Sequence, residues 1–118
     1  MFSDDDKYIV YLTNEGDLYS SNFKKIKLAK NVDQIYAVIN NKVYFGKNDN
    51  LYVIDIKGKK ESMKIDSDIF GFTVNENNKI ALYRKYDNAS YDIYMYNFNS
   101  NKTKKIAENV SSIINVSD

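Results

Sequence analysis

The chain has 118 residues, 17 basic and 16 acidic, with a net charge of +1 and with neither cysteine nor histidine. The missing residue types exclude disulfides, zinc sites built on Cys or His, and catalysis by Ser-His-Asp or Cys-His arrangements. The balanced charge excludes a basic field that would hold nucleic acid without sequence preference.

The first residues of the chain include the acidic run Asp4-Asp5-Asp6, which we interpret as an inter-strand turn. This segment lacks the apolar core of a signal peptide, and no later apolar run approaches the ~18 residues of a membrane span. We therefore expect no membrane insertion by this sequence. The compartment stays open: cytoplasmic for a complete protein, extracytoplasmic or cell-surface for a part of a longer one.

Beyond this turn, one pattern recurs three times: a lysine, an apolar run, a turn, and an aliphatic residue followed by tyrosine. The lysines are Lys7, Lys42 and Lys79, spaced by 35 and 37 residues, and the pairs are Leu18-Tyr19, Leu51-Tyr52 and Ile93-Tyr94. Each repeat continues with two adjacent lysines and a further apolar run, at residues 35–38, 69–74 and 113–116. Short runs of β-branched and aromatic residues between polar turns predict strands, four to a repeat.

An all-β repeat of about 40 residues with four strands is typical of a β-propeller blade. Residues 2–11, F-S-D-D-D-K-Y-I-V-Y, resemble the F-S-P-D-G-K-x-I-x-Y segment of TolB-like, WD-repeat-like propellers. Residues 92–97, D-I-Y-M-Y-N, resemble the D-I-Y-x-x-D strand of the same family. The family's Pro-Asp-Gly turn is absent, and Asp and Asn residues, which tolerate the left-handed conformation, stand in its place.

The resemblance implies one all-β domain over residues 1–118, with three four-stranded blades at residues 2–36, 37–71 and 72–116. Three blades would be part of a ring of six to eight, since closed propellers have about four to eight. The implied strand order places the runs at residues 35–38, 69–74 and 113–116 innermost. Aliphatic residues of the middle strands should then be buried between blades: Val10, Val43, Leu51, Val53, Ile80, Ile93 and Met95.

The longest predicted turn, residues 84–91, is the candidate binding site, because insertions in repeat proteins lie in loops and often on the binding face. The candidate ligand-binding residues are Tyr86, Asp87, Asn88 and Tyr91, with Asp66 and Asp68 from the adjoining turn. Tyrosine is frequent at interface hot spots. The alternative is an ordinary surface insertion. No pattern marks a catalytic residue, a metal site or a cofactor.

These observations predict a non-catalytic propeller module that binds a protein or a second copy of itself. A homodimer would form a six-bladed ring if residues 113–116, from Ile113 to Val116, completed the first blade of the other copy. Two alternatives stay open. One is an accessory domain that gates or positions substrate for a larger enzyme, and the other is a lectin-like array that holds glycans.

Overall fold

A computed structural model describes residues 1–111, which form eleven strands and no helix. The strands are β1 (Ile9–Leu12), β2 (Leu18–Asn22), β3 (Lys24–Ala29), β4 (Gln34–Ile39), β5 (Lys42–Lys47), β6 (Asn50–Asp55), β7 (Met63–Asp66), β8 (Phe70–Asn75), β9 (Ile80–Asp87), β10 (Ser90–Asn97) and β11 (Lys102–Val110). The predicted all-β class is confirmed. In this part of the chain no helix is long and apolar enough to cross a membrane.

The strands form three antiparallel sheets in which chain order is also spatial order. The first sheet contains β1 to β3, the second β4 to β7 and the third β8 to β11. The predicted run at residues 35–38 lies within β4, and most of the run at 69–74 lies within β8. The run at 113–116 lies outside the described residues, so the predicted last strand is not tested.

Asparagine and aspartate form the tight turns, as their tolerance of positive φ predicts. Asn40 and Asn41, with φ of 55° and 60°, join β4 to β5. Asn48 and Asp49, with φ of 53° and 62°, join β5 to β6. Two successive residues with positive φ are characteristic of the type I′ turn, whose twist matches that of the strands. Asn and Asp therefore adopt the positive φ values for which a Pro-Asp-Gly turn would use its glycine.

The chain divides into two compact units, Met1–Ser67 with the first two sheets and a second unit that begins at Asp68 with the third. In the first unit the two sheets share one hydrophobic core. Val10 and Leu18 of the first sheet pack in it with Val43, Phe45 and Ile54 of the second. The hydroxyl of Ser20, itself fully buried, adds a 2.6 Å hydrogen bond to the carbonyl of Ile56.

The predicted burial of the middle strands is confirmed for the residues Val10, Val43, Leu51 and Ile93. Val53, Ile80 and Met95 are half-buried instead. None of the seven is exposed, which agrees with strands that pack on both faces.

Candidate functional site

The predicted long turn at residues 84–91 is wrong, because most of it belongs to the β9–β10 hairpin. β9 continues to Asp87 and β10 begins at Ser90, so only Asn88 and Ala89 form the turn. Asn88 has a φ of 59°, which asparagine tolerates in a tight hairpin. The residues between Arg84 and Tyr91 are mostly polar, and for that reason the sequence predicts a turn. They instead form paired strands in which Tyr86 lies opposite Tyr91.

One face of this hairpin and the neighbouring strand β8 carry an arginine–aromatic cluster, which consists of Phe70, Arg84, Tyr86 and Tyr91 with Gly71 next to Arg84. The ring of Tyr86 lies 4.8 Å from that of Phe70 and 6.2 Å from that of Tyr91, both edge-on. The guanidinium carbon of Arg84 lies 5.1 Å from the centre of the Tyr91 ring. Tyr86 is 60% exposed, whereas Tyr91 is 7% exposed. Tyr86 can therefore contact a partner directly, whereas the buried ring of Tyr91 packs against the guanidinium of Arg84.

Gly71 makes room for Arg84. The pairing of β8 with β9 is irregular between Phe70 and Thr73, and Gly71 there has a φ of +62°. A Cβ atom at Gly71 would lie 2.5 to 2.9 Å from the guanidinium atoms of Arg84. The Arg84 Nε atom is buried and has no hydrogen-bond partner among the described residues. Arg84 is thus a positioned guanidinium whose Nε donor is not used within this part of the chain, and carboxylates are the groups that such a fork binds best.

The other predicted ligand residues lie in different settings. Asp87 ends β9, and its Oδ1 accepts a 3.5 Å hydrogen bond from the Asn88 amide. Asp66 ends β7 in the first unit and accepts a 2.8 Å hydrogen bond from the backbone N–H of Ser67. Asp68 begins the second unit with a φ of 55°. The grouping of Asp66 and Asp68 with Tyr86 stays a prediction.

The acidic run near the start of the chain contributes to turns. The Oδ1 atom of Asp5 accepts hydrogen bonds from the hydroxyl of buried Ser3 at 2.6 Å and from the N–H of Lys7 at 3.1 Å. The bond from Ser3 and, to a smaller extent, the bond from Lys7 stabilise the charged carboxylate and lower the pKa of Asp5. Asp4 accepts a 2.9 Å hydrogen bond from the N–H of Asn40. Within residues 1–111, no three acidic side chains gather as a metal site would require.

A second candidate surface is one face of the first sheet. In each sheet an aromatic side chain from one strand stacks on the tyrosine of the repeated pair across the next strand. The stacked pairs are Tyr11–Tyr19 at 5.5 Å, Phe45–Tyr52 at 5.5 Å and Tyr83–Tyr94 at 5.6 Å. The three sheets therefore share this stacked pair, and their residues can be compared position by position from it.

This comparison shows that the first sheet leaves open a face that the other sheets bury. We call it the Tyr11 face; it consists of Ile9, Tyr11, Tyr19 and Ser21, which alternate along β1 and β2. Ile9 is 40% exposed, whereas Val43 and Ala81 at the equivalent positions are 0% exposed. Tyr11 is half-buried, whereas its equivalents Phe45 and Tyr83 are 1% and 0% exposed.

The first sheet also has a partly open edge. Val10 exchanges backbone hydrogen bonds with Met1, at 2.6 and 2.8 Å, and Phe2 pairs with Ile9. In the other two sheets a complete strand, β4 or β8, occupies this position. Among the described residues, the bonds on this edge of β1 end at Val10, although the strand continues to Leu12. An unpaired strand edge is a site at which another chain can add a strand.

The sequence predicts Tyr86 and Tyr91 as ligand-binding residues, which stays a prediction, and it does not point to Phe70, Gly71 and Arg84, which lie with them in the cluster. A usable signal was that Arg84 is the only arginine beside sixteen lysines. No family model and no curated protein matches the chain.

Proposed function

We propose that the chain is a non-catalytic β-propeller module that assembles with a second copy of itself. Each of the three antiparallel sheets is one blade in this proposal, and two chains supply six blades. Six lies within the range that closes a ring.

The open Tyr11 face is the observation that carries the proposal. In the first unit, Phe45 of the second sheet packs in one core with Val10 of the first. Phe45 is the equivalent of Tyr11, and Val10 lies on the opposite face of its sheet from Tyr11, because neighbouring residues of a strand alternate in direction. The sheets thus stack head to tail, and a further sheet would cover the Tyr11 face in the same way.

The third sheet carries the complementary surface. We call it the Leu82 face; it includes Leu82, Arg84 and Tyr86 of β9 and Met95 of β10. Leu82 is the equivalent of Val10, and both Leu82 and Met95 are half-buried apolar side chains. In the proposed dimer the Leu82 face of each copy covers the Tyr11 face of the other. This arrangement matches the Tyr11 face and the Leu82 face of both copies and follows two-fold symmetry.

Light scattering on the purified chain tests the proposal. We expect a mass twice the 13.7 kDa of the chain. Tyr11→Lys should shift the protein to monomer, because a charge would replace the aromatic contact at the centre of the interface. Met63→Lys is the matched control, since Met63 is 65% exposed in β7 and lies outside both faces. A stable monomer of the unaltered chain would contradict the proposal.

The strand-exchange version of the dimer has its own test. Removal of residues 112–118 should weaken the dimer if Ile113 to Val116 complete the edge of β1 in the other copy. A dimer of unchanged stability after this deletion would show that the faces alone hold the copies together, and it would refute the exchange.

A further inference from the structure

Arg84 is the residue of the Leu82 face that would need a charged partner in the other copy, provided that the proposed assembly forms. Arg84 lies on the Leu82 face, two residues from Leu82 along β9 and opposite Ile93 of β10. It is half-buried, and among residues 1–111 it forms no ion pair. A half-buried guanidinium at an interface requires an anionic partner to compensate for the loss of water.

The first unit shows which end of a neighbouring sheet would meet Arg84. The turn between β1 and β2 and the hairpin turn between β5 and β6 are bridged by the segment that connects the two sheets. Within this bridge Val32 N–H donates to the Gly16 carbonyl at 2.9 Å, and the Oδ2 atom of Asp33 accepts a 2.8 Å hydrogen bond from the N–H of Asn48. Equivalent turns of stacked sheets therefore lie at the same end.

Arg84 lies in the half of β9 nearer the corresponding turn, four residues before Asn88, and its equivalent in the first sheet is Leu12, the last residue of β1. Head-to-tail stacking of a second copy would place that copy's β1–β2 turn, residues 13–17, beside it. This turn contains two carboxylates. Asp17 already pairs with Lys27 at 3.2 Å. Glu15 is exposed at the tip and, in the described part of the chain, has no ion pair.

We infer that Arg84 of each copy forms an ion pair with Glu15 of the other copy and so fixes the register of the two faces. The planar guanidinium can bind both oxygens of a carboxylate, whereas a lysine ammonium cannot make this two-point contact. The use of the chain's one arginine at this position agrees with such a requirement. Tyr86, beside Arg84, would shield the pair from water.

A charge exchange tests the inference. Arg84→Glu places two carboxylates at each of the two interfaces, and Glu15→Arg places two guanidinium groups there. Each variant alone should raise the dimer dissociation constant at least about tenfold, since like charges at an interface are strongly unfavourable. An equal mixture of the two variants should form a heterodimer, because both of its interfaces then pair opposite charges.

Analytical ultracentrifugation of the unaltered chain, each variant and the mixture gives all the required constants. Circular dichroism spectra matching the unaltered chain are the check on folding, and Arg84→Gln, which adds no repulsion, should weaken the dimer less than Arg84→Glu. A dimer of the unaltered chain that both charge variants leave intact would overturn the ion pair but not the assembly. Weakened variants whose mixture fails to recover would overturn Glu15 as the partner, and an unaltered chain that stays monomeric would overturn the assembly itself.

Discussion

Replacement of Gly71 by alanine should destabilise the protein by two separable effects. At a φ of +62° a side chain is strained, and the left-handed conformation costs about 1–2 kcal/mol for a residue with a Cβ atom. The new methyl group would also lie 2.5 to 2.9 Å from the Arg84 guanidinium and displace it from Tyr91. Loss of that cation–π contact adds about 0.5–1 kcal/mol, which gives a total of about 1.5–3 kcal/mol.

Urea unfolding of matched variants separates the two effects. Gly16→Ala is the control for strain alone, because Gly16 has a φ of +87° and its Cβ would meet its neighbours at ordinary distances of 3.4 to 3.5 Å. In an Arg84→Ala background, Gly71→Ala should cost about 0.5–1 kcal/mol less than in the unaltered chain. Equal costs in both backgrounds would refute the view that Gly71 exists to seat Arg84.

Three further changes have expected outcomes. Leu51→Ala removes a fully buried side chain and should lower the free energy of unfolding in urea by about 2–5 kcal/mol; a loss below about 0.5 kcal/mol would contradict its core position. Ser20→Ala removes the hydroxyl that donates to the carbonyl of Ile56. The free energy of unfolding in urea should fall by about 1–3 kcal/mol. The lowered pKa of Asp5 means that its stabilising effect is complete above the ordinary value of 3.8 and is lost as the pH falls through the folded-state pKa. Asp5→Asn should remove this component from an acid titration, and an unchanged acid profile would contradict it.

The strands and turns of the second sheet could be predicted because their signals are local. Asn40-Asn41 and Asn48-Asp49 have side chains that tolerate positive φ, and apolar residues flank both turns. The sequence predicts a loop where the β9–β10 hairpin lies because Arg84, Lys85 and Asp87 are polar. Their strand structure depends on backbone pairing with β10, which places Arg84 opposite Ile93 and Lys85 opposite Asp92 and is not a property of composition.

The arginine–aromatic cluster could be predicted only in part. Tyr86 and Tyr91 can be predicted as candidates because they are the tyrosines of the polar segment 84–91. The irregular pairing between Phe70 and Thr73, which brings Gly71 under Arg84, shifts the register of two strands. The contact between Gly71 and Arg84 depends on this register, which the sequence alone does not specify. The open Tyr11 face likewise becomes visible only when burial is compared between equivalent positions of the three sheets.

The central claim is that the first sheet of one copy stacks on the third sheet of another, and disulfide trapping tests it most directly. The chain has no cysteine, so introduced thiols have no competitors. Val10 and Phe45 share one core in the first unit, and their equivalents are Leu82 and Tyr11. A mixture of the separate Leu82→Cys and Tyr11→Cys chains should therefore give covalent dimers on oxidation, while neither variant does so alone. No covalent dimer in the mixture, or equal cross-linking of Tyr11→Cys with itself, would contradict the claim.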